Sequence, residues 1–271
     1  MLGPLLEALF PRRCAGCGAG PWPFCARCRD ALVTIAAPWC LRCGAPTPAT
    51  VPSCRDCPPP SVALARAPFG FDGPVRRAVH RLKFSGWRPI AGALGDAMAV
   101  AWSGAPFSPD AVAWVPLSRA RLAARGYDQA RALALAVAPR LGIPAVRLLD
   151  RVGDPGPQAR RGGDARREAM RGMFAPARRP PARILLVDDV LTTGATAAAC
   201  AEALLEGGAA EVALLTAARA VSSVREAAGR VPRPILASGL GSGSVVAPGR
   251  GSPAVDASRG RSDPRKPTLG R

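Results

Sequence analysis

The stretch Arg183-Ile-Leu-Leu-Val-Asp-Asp-Val-Leu-Thr-Thr-Gly-Ala-Thr196 decides the fold. Ile184 to Val187 form an unbroken apolar run, the pattern of a strand buried on both faces of a parallel sheet. Asp188 and Asp189 fall where that strand is expected to leave the sheet. Leu191 to Thr196 supply one glycine, three hydroxyls and no bulky charge. Thr196 to Leu205 is rich in Ala with Leu and Glu, and favours helix. Strand, acidic pair, small hydroxyl loop and helix follow in that order, which puts the loop at a helix N-terminus. Unpaired backbone N–H groups and the helix dipole attract a phosphate there. The threonine hydroxyls add donors, and the carboxylates can accept hydrogen bonds from a diol. A ligand with a 5-phosphate at one end and a ribose diol beside it fits both parts.

The stretch lacks the Lys that follows the last Gly of a Walker A loop, and it is not a G-x-G-x-x-G fingerprint. It resembles the thirteen-residue phosphoribosyl-pyrophosphate (PRPP) signature of type I phosphoribosyltransferases, matched at every position from Ile184 to Thr196.

The chain has 271 residues, 48% of them hydrophobic, enough for an ordinary domain with additions. Its formal net charge is +18. Only Lys83 and Lys266 are lysines, so almost all positive charge is Arg, and with abundant Ala, Gly and Pro this points to compositional bias. Charge alone therefore argues little for nucleic acid, and Arg suits a small phosphate-rich ligand equally well. Aromatic residues are 5%, few for a protein that stacks single-stranded bases. No secretory signal is visible, because Leu2 to Phe10 is short and broken by Pro4 and Glu7. No apolar run reaches the roughly 18 residues of a membrane span. The expectation is a cytoplasmic protein without a membrane span.

Eight of the nine cysteines form four C-x-x-C pairs, and Cys200 stands alone. Paired spacing indicates zinc rather than disulfides, and a reducing compartment. Each pair is one knuckle, and two knuckles complete a four-thiolate site with no open position for catalysis. Two structural Zn2+ ions are expected. Sequential pairing is the first choice, with Cys14, Cys17, Cys25 and Cys28 on one ion and Cys40, Cys43, Cys54 and Cys57 on the other. Interleaved pairing also satisfies the spacing. The segment has few large apolar residues and needs metal to fold.

Ahead of the cysteines, Leu2, Leu5, Leu6 and Leu9 recur at helical spacing. After the Pro-rich boundary at 58–61, Val75, Val79 and Leu82 mark one face of a helix that carries Lys83 near its end. His80, the only histidine, reads as an ordinary polar residue. Ile90 to Trp102 reads as a second helix. Ala111 to Pro116 reads as a strand, Leu117 to Gly126 as an Arg-dense loop, Tyr127 to Leu141 as a helix, and Ala145 to Leu149 as a second strand. Ligands of open α/β sheets sit beyond the carboxyl ends of strands. The Arg loop and the acidic-hydroxyl loop should therefore face one crevice. Gly153 to Pro181 is long and weakly patterned, as expected of a lid, with a short helix within Asp164 to Phe174. Glu211 to Thr216 reads as a strand, and Ala218 to Gly229 as the start of a basic helical extension. The domain scheme is an N-terminal helix and double zinc ribbon over 1–60, a phosphoribosyltransferase-like α/β domain over 61–220, the basic extension over 221–237, and a disordered tail over 238–271.

Four features occur together: the Cys knuckles, Leu82-Lys-Phe-Ser-Gly86, Val115-Pro-Leu-Ser-Arg119 leading to Arg125-Gly-Tyr-Asp-Gln-Ala130, and Val187-Asp-Asp-Val-Leu-Thr-Thr-Gly-Ala-Thr196. In that order they resemble the ComF (competence protein F, GntX-like) family over roughly residues 5 to 220. The resemblance implies a type I phosphoribosyltransferase fold, a Rossmann-like parallel sheet flanked by helices, behind a zinc ribbon. It also implies a cytosolic role linked to uptake of single-stranded DNA in competence, with DNA and the uptake machinery as candidate partners. By that likeness Asp188, Asp189, Thr192, Thr193, Gly194, Ala195 and Thr196 hold the ribose 5-phosphate of PRPP. Leu117, Ser118, Arg119 and Arg125 lie near its pyrophosphate with Mg2+, and Lys83 fills a basic position. Asp128 stands where the family usually has Asn, Ala169 where it has Asn, and Pro155 where it has Thr. The implied activity is PRPP binding with transfer of phosphoribosyl to an acceptor that the sequence does not name. The alternatives are a single-strand-binding zinc protein with a non-catalytic PRPP pocket, and a salvage or amidophosphoribosyltransferase.

Overall fold

A computed structural model describes residues 13–153, 170 and 172–220. The expected N-terminal helix, the bulk of the lid, the basic extension beyond 220 and the tail lie outside the described residues.

The elements are α1 (Ala26–Asp30), β1 (Leu64–Arg66), β2 (Phe69–Gly70), α2 (Gly73–Phe84), α3 (Pro89–Trp102), β3 (Ala111–Trp114), α4 (Arg119–Arg125), α5 (Gln129–Leu141), β4 (Leu149–Arg151), β5 (Phe174–Pro176), β6 (Arg183–Leu191), α6 (Ala195–Glu206) and β7 (Glu211–Arg219). The main sheet runs β1-β7-β6-β3 with all pairings parallel, and β2 also pairs with β7. β6 is central, with Ile184 opposite both Ala111 and Val212.

Alternation along β6 assigns its two faces. Leu185 and Val187 join a core with Val79 and Leu82 of α2, Leu94 and Met98 of α3, and Leu133 and Val137 of α5. Ile184 and Leu186 join a second core with Cys200 and Leu204 of α6 and with Phe174 of β5. The fold class is the expected one, a parallel sheet flanked by helices behind a Cys-rich segment. α3 and α5 approach closely because Gly95 has no side chain; a Cβ there would sit 2.6 Å from the Cβ of Ala136.

Several expectations are corrected. β6 does not end at Val187. It continues through Leu191, so Asp188 and Asp189 lie inside the strand, with Asp188 opposite Thr216 of β7. The Arg-dense loop is largely a short helix, α4, capped by Ser118, whose Oγ accepts from Arg121 N at 3.3 Å, and closed by Gly126. Ala145 to Leu149 is not a strand: Ala145 makes one parallel bridge to Val112. Leu149 opens β4, which pairs antiparallel with β5 in a separate two-stranded sheet. Phe174, expected near a short helix, is in β5, and Ala218 and Arg219 belong to β7 rather than to a helix.

The Cys-rich segment packs on the sheet domain through both cores: Cys14 and Cys28 enter the first, Cys40 and Cys43 the second. Its two leading knuckles repeat one geometry. Gly18 N donates to Cys14 O and Gly44 N to Cys40 O, each at 2.8 Å.

Leu186 is fully buried at the centre of β6. Leu186→Ala should lower the unfolding free energy by about 2–5 kcal/mol through lost contact and a residual cavity. The check is a urea titration, where the midpoint should fall at unchanged slope.

Candidate functional site

A cavity of about 840 Å3 opens at the carboxyl ends of β3 and β6. Its walls include Lys83, Leu117, Arg121, Arg125, Gln129, Asp188, Asp189, Thr192, Gly194, Ala195 and Thr196. The turn after β3 and the loop after β6 meet there, and Val115 N donates to Val187 O at 3.0 Å.

Asp189 is the fixed point of the site. It shares the strand parity of Leu185 and Val187, so it faces α2 and α5, and it is 5% exposed. Lys83 Nζ lies 2.7 Å from its Oδ1, and Gln129 Nε2 donates to its Oδ2 at 2.9 Å. Arg125 Nη1 in turn donates to Gln129 Oε1 at 2.8 Å. Arg125 also lies over the ring of Phe84, 4.9 Å from its centroid. α2, α4, α5 and β6 thus converge on one carboxylate.

Asp188 has the opposite parity and lies on the α6 side, so the two acids do not stand side by side. Its Oδ1 accepts from Asp189 N at 2.8 Å. Desolvation, then the charge of Asp189, push its carboxyl up to about 8, against the pull of that N–H and of Lys83. Asp128 is also raised, by burial, although the N–H groups of Arg131 and Leu117 oppose this. It caps α5 through the Arg131 N–H and holds Leu117 N at 3.3 Å, so this acid shapes the turn after β3.

The remaining expected residues divide. Thr193 does not line the cavity; its Oγ1 accepts from Ala195 N at 3.4 Å and braces the loop. Ser118 and Arg119 line an adjoining cavity of about 1270 Å3, with Arg88, Tyr127, Arg131 and Arg147. Pro116, Leu117 and Arg151 are common to both cavities. Arg121 of the Arg-dense stretch and Gln129 of the Arg125–Ala130 motif line the first cavity although the sequence assigns neither a role, and Arg151, Met170 and Thr216 line it without a motif to mark them.

The eight paired cysteines form two clusters in the sequential grouping: Cys14, Cys17, Cys25 and Cys28, and Cys40, Cys43, Cys54 and Cys57. Within each, the sulfurs lie within 4.8 Å of one another. Zn–S bonds of about 2.3 Å in a tetrahedron put sulfurs roughly 3.8 Å apart. Cys17–Cys25 is 3.8 Å, Cys40–Cys57 3.6 Å and Cys43–Cys54 3.5 Å. Without a cation the four thiols do not ionise alike: burial and the neighbouring sulfurs push Cys28 up to about 12, whereas in the same cluster Cys14, against desolvation, is drawn down to about 6 by the N–H groups of Cys25, Cys17 and Gly16. The donor set fits two structural zinc ions.

Residues 5–58 match the double zinc ribbon domain. The chain is 31% identical over 204 residues to DNA utilization protein YhgH of Salmonella typhi, covering 70% of this chain and 88% of that protein. YhgH of Salmonella typhimurium (strain LT2) is 30% identical over 203 residues, with the same coverage. The chain belongs to the ComF/GntX-like family.

Among solved structures, the glutamine PRPP amidotransferase from B. subtilis complexed with ADP and GMP aligns with a TM-score of 0.33 at 22% identity, covering 51% of this chain and 33% of that one. The ComF/GntX-like chain thus spans about a third of that amidotransferase. The protein TT1426 from Thermus thermophilus aligns with a TM-score of 0.29 at 22% identity, covering 46% of this chain and 71% of that one. No helix among the described residues is long and apolar enough to cross a membrane.

The raised Asp188 sets a pH prediction. Its folded pKa exceeds the unfolded value, so folding favours the protonated form. That contribution is fully present below about pH 4 and is lost as pH rises towards 8. Asp188→Asn removes the dependence. The variant's stability relative to the parent should therefore increase from about pH 4 to pH 8 and level off above. Urea midpoints across that range test it; a pH-independent difference would refute it.

Proposed function

We propose that this ComF/GntX-like chain binds PRPP in the cavity at the ends of β3 and β6. The observation that carries this is the contact of Lys83 and Gln129 with Asp189, with Arg125 donating to Gln129, beside the Thr192–Thr196 loop. Thr192, Gly194, Ala195 and Thr196 of the loop and the two carboxylates line one cavity with four basic side chains, Lys83, Arg121, Arg125 and Arg151.

In this reading the amides and hydroxyls at the start of α6 hold the 5-phosphate. Asp188 and Asp189 accept from the ribose hydroxyls. Lys83, Arg121, Arg125 and the Leu117 backbone receive the pyrophosphate. The acids offer hard oxygen donors, too few for a complete cage, so Mg2+ would come with the ligand's own oxygens. When bound it offsets the charge of the pyrophosphate.

In this reading the same residues also serve transfer to an acceptor. A nucleophilic nitrogen bonds to the anomeric carbon as the carbon–oxygen bond to pyrophosphate breaks, and pyrophosphate leaves with the electron pair. Asp189, and Asp188 when ionised, stabilise the positive charge that develops on the ribose, and the basic side chains stabilise the leaving group. The localisation that accompanies this reading is the cytoplasm.

A second reading rests on the adjoining cavity. Arg88, Arg119, Arg131 and Arg147 line it, and the relatives are named as DNA utilization proteins. A single strand held there would present phosphates to the arginines next to the sugar-phosphate pocket. Fluorescence anisotropy with labelled single strands decides it. Binding that falls steeply with salt and is weakened in Arg119→Ala and Arg131→Ala supports this reading; a flat response rejects it.

Titration calorimetry tests the first. The full chain should bind PRPP in the presence of Mg2+, and Asp189→Asn should weaken binding by about tenfold or more, some 1.4 kcal/mol. Absence of heat with the parent protein would defeat the proposal.

A further inference from the structure

The two ribbons grip different walls of the candidate site. The first holds α2: Arg77 Nε donates to Gly16 O at 2.7 Å and Arg81 Nη1 to Ala15 O at 2.6 Å. α2 carries Lys83 in its last turn.

The second ribbon lies behind the loop that opens α6. Pro58 directly follows Cys57, the last cysteine of the cluster. Gly194, the middle of the loop, has φ +75°, and a Cβ there would stand 2.8 Å from Pro58 Cβ and 3.3 Å from Pro58 Cα. The loop backbone is seated on the ribbon with no space for a methyl group. Pro58 is itself held from within the cluster. Arg42, between Cys40 and Cys43, donates through Nη2 to the carbonyls of Pro58 and Pro59 at 2.9 Å and of Val62 at 3.0 Å.

Two more ties bracket the loop. Arg219 is 1% exposed and is the register partner of Leu191, where the loop begins. Its Nη1 donates to the carbonyl of Cys43, and its Nη2 to Asp56 O at 3.4 Å. Ser61 Oγ donates to Ala198 O, in the first turn of α6, at 3.4 Å. The entry, middle and exit of the loop are each tied to the segment between residues 42 and 61.

We infer that the second four-cysteine cluster, with its metal, fixes the position of the Thr192–Ala195 loop, and that Arg42, Pro58 and Arg219 are the positioning residues through which it acts. Coupling between two sites is reciprocal. A phosphate-bearing ligand seated on the loop therefore tightens metal in the second cluster, and loss of that metal loosens the loop. The first cluster acts on α2 instead, so the loop responds to one metal site and not to the other.

Amide hydrogen exchange in the full chain tests this without relying on the PRPP assignment. The probes are the N–H groups of Ala195 and Ala198, which donate to Thr193 Oγ1 and Gly194 O. Cys57→Ser should speed their exchange by about tenfold, within the usual range for coupled sites, while Cys17→Ser leaves it unchanged. Pro58→Gly keeps every cysteine and should give the same acceleration with two zinc ions still bound by metal analysis. It decides the matter if Cys57→Ser fails to fold. A second arm does rest on the proposed function: PRPP should slow chelator-driven release of one of the two zinc ions, and Pro58→Gly should abolish the slowing. Unchanged Ala195 and Ala198 exchange in Pro58→Gly would overturn the inference. Failure of the parent protein to bind PRPP would overturn the proposed function and leave the exchange result standing.

Discussion

The site depends on a buried carboxylate that cannot stand alone. Asp189 sits in the central strand and is held by Lys83 and Gln129 at 2.7 and 2.9 Å. Removing one partner from such a pair leaves an uncompensated charge, which typically costs about 3–5 kcal/mol. That penalty fixes the relative placement of α2, which ends with Lys83 in its last turn, and α5, which begins with Gln129. Arg125 at the end of α4 follows, because its donor is aimed at Gln129. Asp188, one residue earlier, faces the other side of the sheet and has no such cation at hydrogen-bond distance among the described residues. The difference follows from the two-residue period of a strand. Adjacent acids in the sequence therefore have different environments, one neutralised by a lysine and one pushed towards its neutral form.

The same logic applies to the ribbons. Each is too small to bury a core of its own, so each borrows one from the domain behind it. Cys14 and Cys28 pack into the layer of α2, α3 and α5, and Cys40 and Cys43 into the layer of α6. The sheet separates the two layers. A module that reads from sequence as one zinc-binding unit is in physical terms two braces on opposite faces. This division explains how the first can bear on Lys83 and the second on the loop at the start of α6.

Much of this is legible in the sequence. The apolar run at 184–187, the hydroxyl loop and the Ala-rich helix identify the central strand and its exit. Four C-x-x-C pairs identify the metal clusters. Where the sequence misleads, the causes are physical. β6 runs on through Asp188 and Asp189 because β7 continues to pair with it up to Arg219, a long-range contact without a local signal. α4 reads as a loop because its arginines suggest a solvated turn. Yet Ser118 ahead of Ala- and Arg-rich residues, with Gly126 behind, carries the ordinary start and stop signals of a helix. Gln129 also has a readable signal. It stands at i of an i, i+4, i+8 series with Leu133 and Val137, on the core side of α5, where a polar residue needs a buried partner. Nothing local, by contrast, marks Arg42 or Arg219 as clamps, since their acceptors are backbone carbonyls remote in the fold.

Those clamps change the meaning of the net charge. A formal +18 invites the view of a surface bristling with free cations. Among the described residues, Arg42, Arg66, Arg77, Arg81 and Arg219 instead direct their guanidinium groups at main-chain carbonyls of the ribbons and of the segments that join them to the sheet. Planar guanidinium suits this task, since it offers several donors in fixed directions and sheds its hydration more readily than an ammonium group. Arg140, Arg147 and Arg183 meet Asp96, Asp150 and Glu211. Arg88, Arg119, Arg121, Arg125, Arg131 and Arg151 line the two adjoining cavities, as does Arg147. The electrostatic attraction for an anion is thus more local than composition implies. It is concentrated where the Thr192–Ala195 loop and the turn after β3 meet, and it is the place in the fold, rather than the count of arginines, that makes the charge informative.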